Sequence, residues 1–148
     1  LGHVGAWAPR PEQIAAGKYL ADVNRLDAFL SHIKAALQQR LQAFYEGIQH
    51  LKSQGFAVEA IPPAAAIYLT VQFDLKGYTN ASGNTLQNTS DISAYLLSEA
   101  KVALVPFRAF GASDDSTWFR LSVGTTSMDD VKASLNAIEI ALKCLQNP

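Results

Sequence analysis

The chain has 148 residues, which suits one domain, and folding a chain of that length removes roughly 70% of its unfolded surface from water. Hydrophobic residues make up 49% and charged residues 17%; the charged share falls below the usual level of about 25%, so part of the surface is expected to be covered by another body. The formal net charge is −1, with no run of like charge, which removes the electrostatic case for nucleic acid or an anionic membrane as partner.

The chain opens "LGHVGAWAP", without Met and already inside an apolar segment. The expectation is that something precedes it in a longer protein. Residues 1–8 read as a short buried strand that stops at Pro9. "PRPEQ" then reads as a helix start, with Pro11 in the first turn and Glu12 near the positive end of the helix dipole. From Asn24, read as an N-cap, apolar residues recur at Leu26, Phe29, Leu30, Ile33, Leu37, Leu41, Phe44, Ile48 and Leu51. Gaps of three and four predict one long helix, ended by Gly55. At ~1.5 Å per residue, about 30 residues make a rod of ~45 Å, a spine rather than an ordinary globular helix.

After Gly55 the period changes. "FAVEAI" predicts a short strand broken by Pro62 and Pro63. "AAIYLTVQFDL" alternates cleanly, with Ile67, Leu69, Val71, Phe73 and Leu75 on one face and Tyr68, Thr70, Gln72 and Asp74 on the other. A Gly- and Asn-rich loop follows. Thr89 or Ser90 is expected to cap a helix through "DISAYLLSEA". "KVALVPF" reads as a strand, "RAFGASDDS" as a solvated loop, and "TWFRLSVG" as the last strand. Ser127 opens a closing helix whose apolar face is Met128, Val131, Leu135, Ile138, Leu142 and Leu145. The fold class is therefore α+β: helices covering a small, mainly antiparallel sheet, with a long N-terminal spine helix.

One cysteine, Cys144, cannot form an internal disulfide. That fits a reducing, cytoplasmic setting, and its place in an apolar helical pattern reads as a small core residue. No apolar run is long enough to span a bilayer, and no signal-peptide layout is present. His3, His32 and His50 lack metal-ligand spacing, so no metal is expected. The odd residue is Arg120, central in the last strand, opposite in face to Phe119, Leu121 and Val123. The commonest Arg in such a place faces solvent with its stem over a neighbour, here Trp118. The functional alternative is that a planar guanidinium makes two parallel hydrogen bonds to a carboxylate.

Residues 101–124, "KVALVPFRAFGASDDSTWFRLSVG", resemble the C-terminal signature of the pyridoxal-phosphate-dependent aminotransferases related to aspartate aminotransferase. "VALVP" matches at Val102 to Pro106, "FG" at Phe110 and Gly111, and "FRLSVG" at Phe119 to Gly124. "PPAAAIYLTVQFDL" resembles an earlier strand of the family at Pro63, Ala66, Tyr68, Leu69, Asp74 and Leu75. "GHVGAWAPRPEQI" resembles the segment that follows the family's cofactor lysine. Two positions depart from the pattern: Phe107 replaces a common Gly, and His3 stands where many relatives carry an Arg on the cofactor phosphate.

The resemblance implies that residues 1–23 belong to or border the large domain, and that 24–148 form the small, C-terminal domain. It implies that Arg120 binds the substrate α-carboxylate and that His3 contacts the cofactor. No catalytic residue is expected in the chain itself, because the Schiff-base lysine lies upstream of residue 1. The parent would bind pyridoxal 5'-phosphate, act on an amino acid and a 2-oxo acid, close its small domain on the substrate and form a homodimer. The chain alone would bind no cofactor and be inactive. Two alternatives stand beside this: a related lyase using the same cofactor, and a non-catalytic α+β dimerisation domain in which Arg120 pairs with an acidic neighbour.

Overall fold

The computed structural model describes residues 8–148. His3 and the strand expected near the N-terminus lie outside the described residues, apart from Ala8. Two compact units divide the chain, Leu1–Ala36 and Leu37–Pro148.

In the first unit, helix α1 (Arg10–Ala21) starts after Pro9 with a proline in its first turn, as expected. Asp22 then accepts a hydrogen bond from the Arg25 amide, 3.2 Å, at the start of helix α2 (Val23–Ser53). The capping side chain is thus Asp22, one residue before the helix, whereas Asn24 is already inside it. Tyr19 meets Phe29 edge to face, with ring centres 6.3 Å apart. α1 buries no side chain, and Ile14, Leu20 and Phe29 are all at least half exposed.

The second unit holds the core. The apolar stripe of α2 continues through both units, yet its buried members are Leu41, Phe44, Ile48 and Leu51. Strands β1 (Val58–Ala60) and β2 (Tyr68–Phe73) follow, then helix α3 (Thr89–Glu99), strand β3 (Val105–Pro106), a 3-10 turn (Phe107–Phe110), strand β4 (Trp118–Ser122) and helix α4 (Met128–Lys143). The sheet order is β1-β2-β4-β3, antiparallel at every pairing. This is the α+β architecture that the periodicities predict.

One face of the sheet carries Val58, Ala60, Leu69, Val71, Phe73, Phe119 and Leu121, all buried. They join the buried residues of α2, α3 and α4 in one cluster. Phe73 and Phe119, fully buried on adjacent strands, meet edge to face at 6.1 Å. Gly47 of α2 lies directly against Leu135 of α4, where any Cβ would overlap the Leu135 side chain. Burial on one face only is what strict alternation along β2 and β4 demands.

Three local expectations are corrected. The cap of α3 is Asn88, which accepts from the amides of Ser90 (2.8 Å) and Asp91 (3.1 Å) in a capping box with Asp91. Thr89 is buried instead, and its hydroxyl donates to the Ser116 carbonyl, 2.7 Å. Cys144 is exposed at the end of α4, because the buried face there runs through Ile138, Ala141 and Leu142. β3 is only two residues long, since Pro106 has no amide for a ladder and the chain turns directly into the 3-10 segment. Ser127 does cap α4, in a capping box with Asp130. Among the described residues no helix is long and apolar enough to cross a membrane.

Candidate carboxylate-binding site

The face of the sheet away from the core carries Glu59, Tyr68, Thr70, Gln72, Trp118, Arg120 and Ser122, half-buried or exposed. Arg120 stands at its centre. In register it opposes Thr70 on β2 and Val105 on β3. Two aromatic rings converge on its guanidinium. The carbon of that group lies 4.3 Å from the centre of the Tyr68 ring and 4.5 Å from that of Phe110. Both distances fall well inside the range of a cation–π contact.

The two rings arrive by different routes. Tyr68 pairs with Ser122, two residues along β4 from Arg120 and on the same face; that diagonal is within reach of long side chains. Phe110 closes the 3-10 turn that follows β3. Gly111, at φ 89°, takes the left-handed conformation that turns the chain away. Phe107 packs its ring edge to face against Phe110, with centres 6.0 Å apart. The bulky residue in the place of the motif's usual Gly therefore buttresses one of the two rings. Since β2 and β3 flank β4 on opposite sides, the rings reach Arg120 from opposite sides. The guanidinium lies over the rings of Tyr68 and Phe110.

The charge balance around Arg120 is one-sided. Among the described residues its guanidinium has no ion pair and no hydrogen bond, and residues 1–7 contain no Asp or Glu. Glu59 is the acid on the same sheet face, and it is already satisfied. It pairs with Lys52, accepts from Gln49 at 2.9 Å and from the Ala60 amide at 3.0 Å. Those contacts, the Lys52 bond foremost, lower its pKa from 4.5 to about 2. Asp115, in the loop before β4, pairs with Lys76 at 3.2 Å. A planar cation whose N–H donors bond none of the described residues, set against two rings, can receive a planar anion such as a carboxylate.

Other sequence-derived candidates do not gather here. His32 and His50 are exposed along α2, as expected. Among the described residues no lysine and no histidine lies in a strand of the sheet. No group of His, Cys, Asp and Glu fit for a metal exists among the described residues. The sequence marks Tyr68 as a polar-face residue and, with Phe110, as a motif residue, but not as a neighbour of Arg120. Alternation places Tyr68 on the Arg120 face, but only the register brings it next to the guanidinium.

A family model described as aminotransferase class I and II matches residues 4–138. The probable aspartate/prephenate aminotransferase of Rickettsia felis is 40% identical over 84 residues, 56% of this chain and 20% of that protein. The aspartate aminotransferase of Rhizobium meliloti strain 1021 is 28% identical over 131 residues, 88% of this chain and 30% of that protein. The crystal structure of the Rhizobium meliloti enzyme superposes with a TM-score of 0.68 at 29% identity, covering 80% of this chain and 28% of that one. The aromatic aminotransferase from Pyrococcus horikoshii shares the fold, with a TM-score of 0.67 at 22% identity over 88% of this chain and 31% of that one. The chain thus spans between a fifth and a third of the length of these relatives.

Proposed function

Because this chain belongs to the class I and II aminotransferase family, we propose that residues 24–148 are the small, C-terminal domain of a pyridoxal-phosphate-dependent aminotransferase, with Arg120 binding the α-carboxylate of its substrate. Residues 1–23 border the large domain in this reading. The substrates are an amino acid and a 2-oxo acid; the Rickettsia relatives are named for aspartate and prephenate, so those two acids are the first to assay. The observation that carries the reading is that, among the described residues, Arg120 has no carboxylate partner and lies against two rings, while Glu59 and Asp115 pair with Lys52 and Lys76.

The cofactor, when bound, supplies the electron sink for the carbanion at the substrate Cα. Lys52, Lys76, Lys101, Lys132 and Lys143 each bond a carboxylate or carbonyl in their own neighbourhood, and none of the seven lysines lies in a strand of the sheet. His3 lies outside the described residues, and its contact with the cofactor phosphate remains part of the proposal. The Schiff-base lysine belongs to the large domain of the parent, and the working assembly is a homodimer. The part played by this chain is to bind and orient. Two parallel hydrogen bonds from Arg120 fix the carboxylate in position and in plane, which sets the direction of the bonds at the adjacent Cα.

The rival reading, a dimerisation domain with Arg120 neutralised by its own chain, requires a carboxylate beside Arg120, and the described residues provide none there. The test is Arg120→Lys in the full-length enzyme. Lysine keeps the charge but loses the fork, so kcat/KM should fall by about ten- to a hundredfold, the worth of a charge-assisted hydrogen bond. Cofactor affinity should hold. An unchanged kcat/KM would refute the assignment.

A further inference from the structure

We infer that Tyr68 and Phe110 are positioning residues: together they hold the Arg120 guanidinium in a preset orientation with its donors unspent. The inference rests on the substrate-binding role proposed for Arg120 and adds what makes that role efficient. A binding arginine can be fixed in place by a carboxylate or a carbonyl, but each such partner consumes N–H donors that the ligand needs. Ring faces restrain the group through dispersion and the ring quadrupole and leave every in-plane donor available. Arg120 shows that arrangement, with ring centres at 4.3 and 4.5 Å and no other side-chain partner among the described residues.

Contrast within the same chain supports a special purpose. Arg40 donates to the carbonyls of Val123 and Gly124, at 3.5 and 3.4 Å. Arg108 donates to the Ser90 hydroxyl at 2.8 Å, and Arg25 pairs with Asp22 at 3.5 Å. Those three arginines are anchored through their donors; Arg120 is held against two ring faces. The two rings are also poorly placed to serve the core. Tyr68 is 40% exposed and Phe110 is 53% exposed, whereas the other aromatic pair of the sheet, Phe73 and Phe119, is fully buried.

Ordering a long side chain upon binding weakens affinity by roughly three- to tenfold when it is not preset. In the full-length enzyme, Phe110→Leu and Tyr68→Leu should therefore each raise the KM of amino and oxo acid about three- to tenfold, with kcat changed less than about twofold. Phe110→Tyr and Tyr68→Phe keep a ring and should restore KM to near the parent value. An independent readout is the Arg120 side-chain Nε–H resonance of the 148-residue chain. The rings should shift it upfield; Phe110→Leu should relax it towards the ordinary position, and Phe110→Tyr should not. Leucine variants with unchanged KM, ring-keeping variants as impaired as the leucine ones, or an unshifted Nε–H resonance would each overturn the clamp. Arg120→Lys measured alongside separates the two claims. If it is harmless, the substrate role falls. If it is damaging while the leucine variants are not, only the clamp falls.

Discussion

Replacing Glu59 by Gln tests the electrostatic reasoning that leaves Arg120 without an acid. Glu59 on β1 is held by Lys52, Gln49 and the Ala60 amide, and its pKa falls from 4.5 to about 2. A shift of that size in full corresponds to about 3 kcal/mol by linkage. The pair is partly open to water, however, with the Glu59 and Lys52 side chains 32% and 49% exposed. Solvent screening at such a site reduces the usable contribution to about 1 kcal/mol. The folded pKa is depressed, so this stability is fully present above the unfolded value near 4.5 and is lost as pH falls towards about 2. Urea unfolding of the parent chain and of Glu59→Gln at a series of pH values reads the difference directly. At pH 7 the parent should be more stable by about 1 kcal/mol, and the gap should close at acid pH and narrow in ~1 M salt. A gap that stays constant down to about pH 2.5, below most of the titration, would refute the account.

The close approach of Gly47 to Leu135 predicts a coupled pair. Gly47→Ala alone should cost about 1 kcal/mol, because the new methyl must displace a packed Leu side chain; in a Leu135→Ala background the same change should stabilise by up to about 1 kcal/mol through helix propensity. Additive effects in thermal unfolding would show that the two helices do not meet there. Pyridoxal phosphate added to the 148-residue chain should produce no stoichiometric visible absorbance band of a lysine-bound cofactor, since the proposed lysine lies in the large domain; such a band would relocate the cofactor site to this chain.

Much of the fold is legible in the sequence because it follows from period. Alternation from Tyr68 to Phe73 and from Trp118 to Ser122 gives both the strands and the buried face. The stripe on α4, with Val131, Ile138 and Leu142, is equally plain. Elements fail to read where a local signal is shared between neighbours. Asn88, Thr89 and Ser90 are all good caps, and only tertiary contact with Ser116 decides that Thr89 turns inward. The stripe of α2 is uniform in sequence, but burial depends on what lies opposite: Phe29 is 50% exposed and Phe44 only 3%. At the site, Arg120 stands out as a charge inside an apolar strand. Its two ring partners do not, since Tyr68 joins it through register and Phe110 through a turn ten residues away in sequence. Neither relation has a period.

Glu59 and Arg120 lie on the same face of one small sheet, and comparing them explains why a guanidinium can be kept vacant there. A charge on a half-buried surface loses hydration and must recover it from somewhere. Glu59 recovers it from donors along α2 and from its own strand, and is silenced. Arg120 lies two strands from β1, beyond the reach of that network. Its neighbours in register are Thr70 and Val105, which offer no charge. A lysine in that position would keep its hydration and stay loose, because its compact ammonium binds water strongly. A guanidinium is weakly hydrated and flat, so two ring faces compensate for part of the water it gives up while its edge remains open. The residue type, the strand position and the paired aromatics thus answer one physical requirement: a cation kept ordered without being neutralised. Removing either ring while leaving the charge in place separates order from charge.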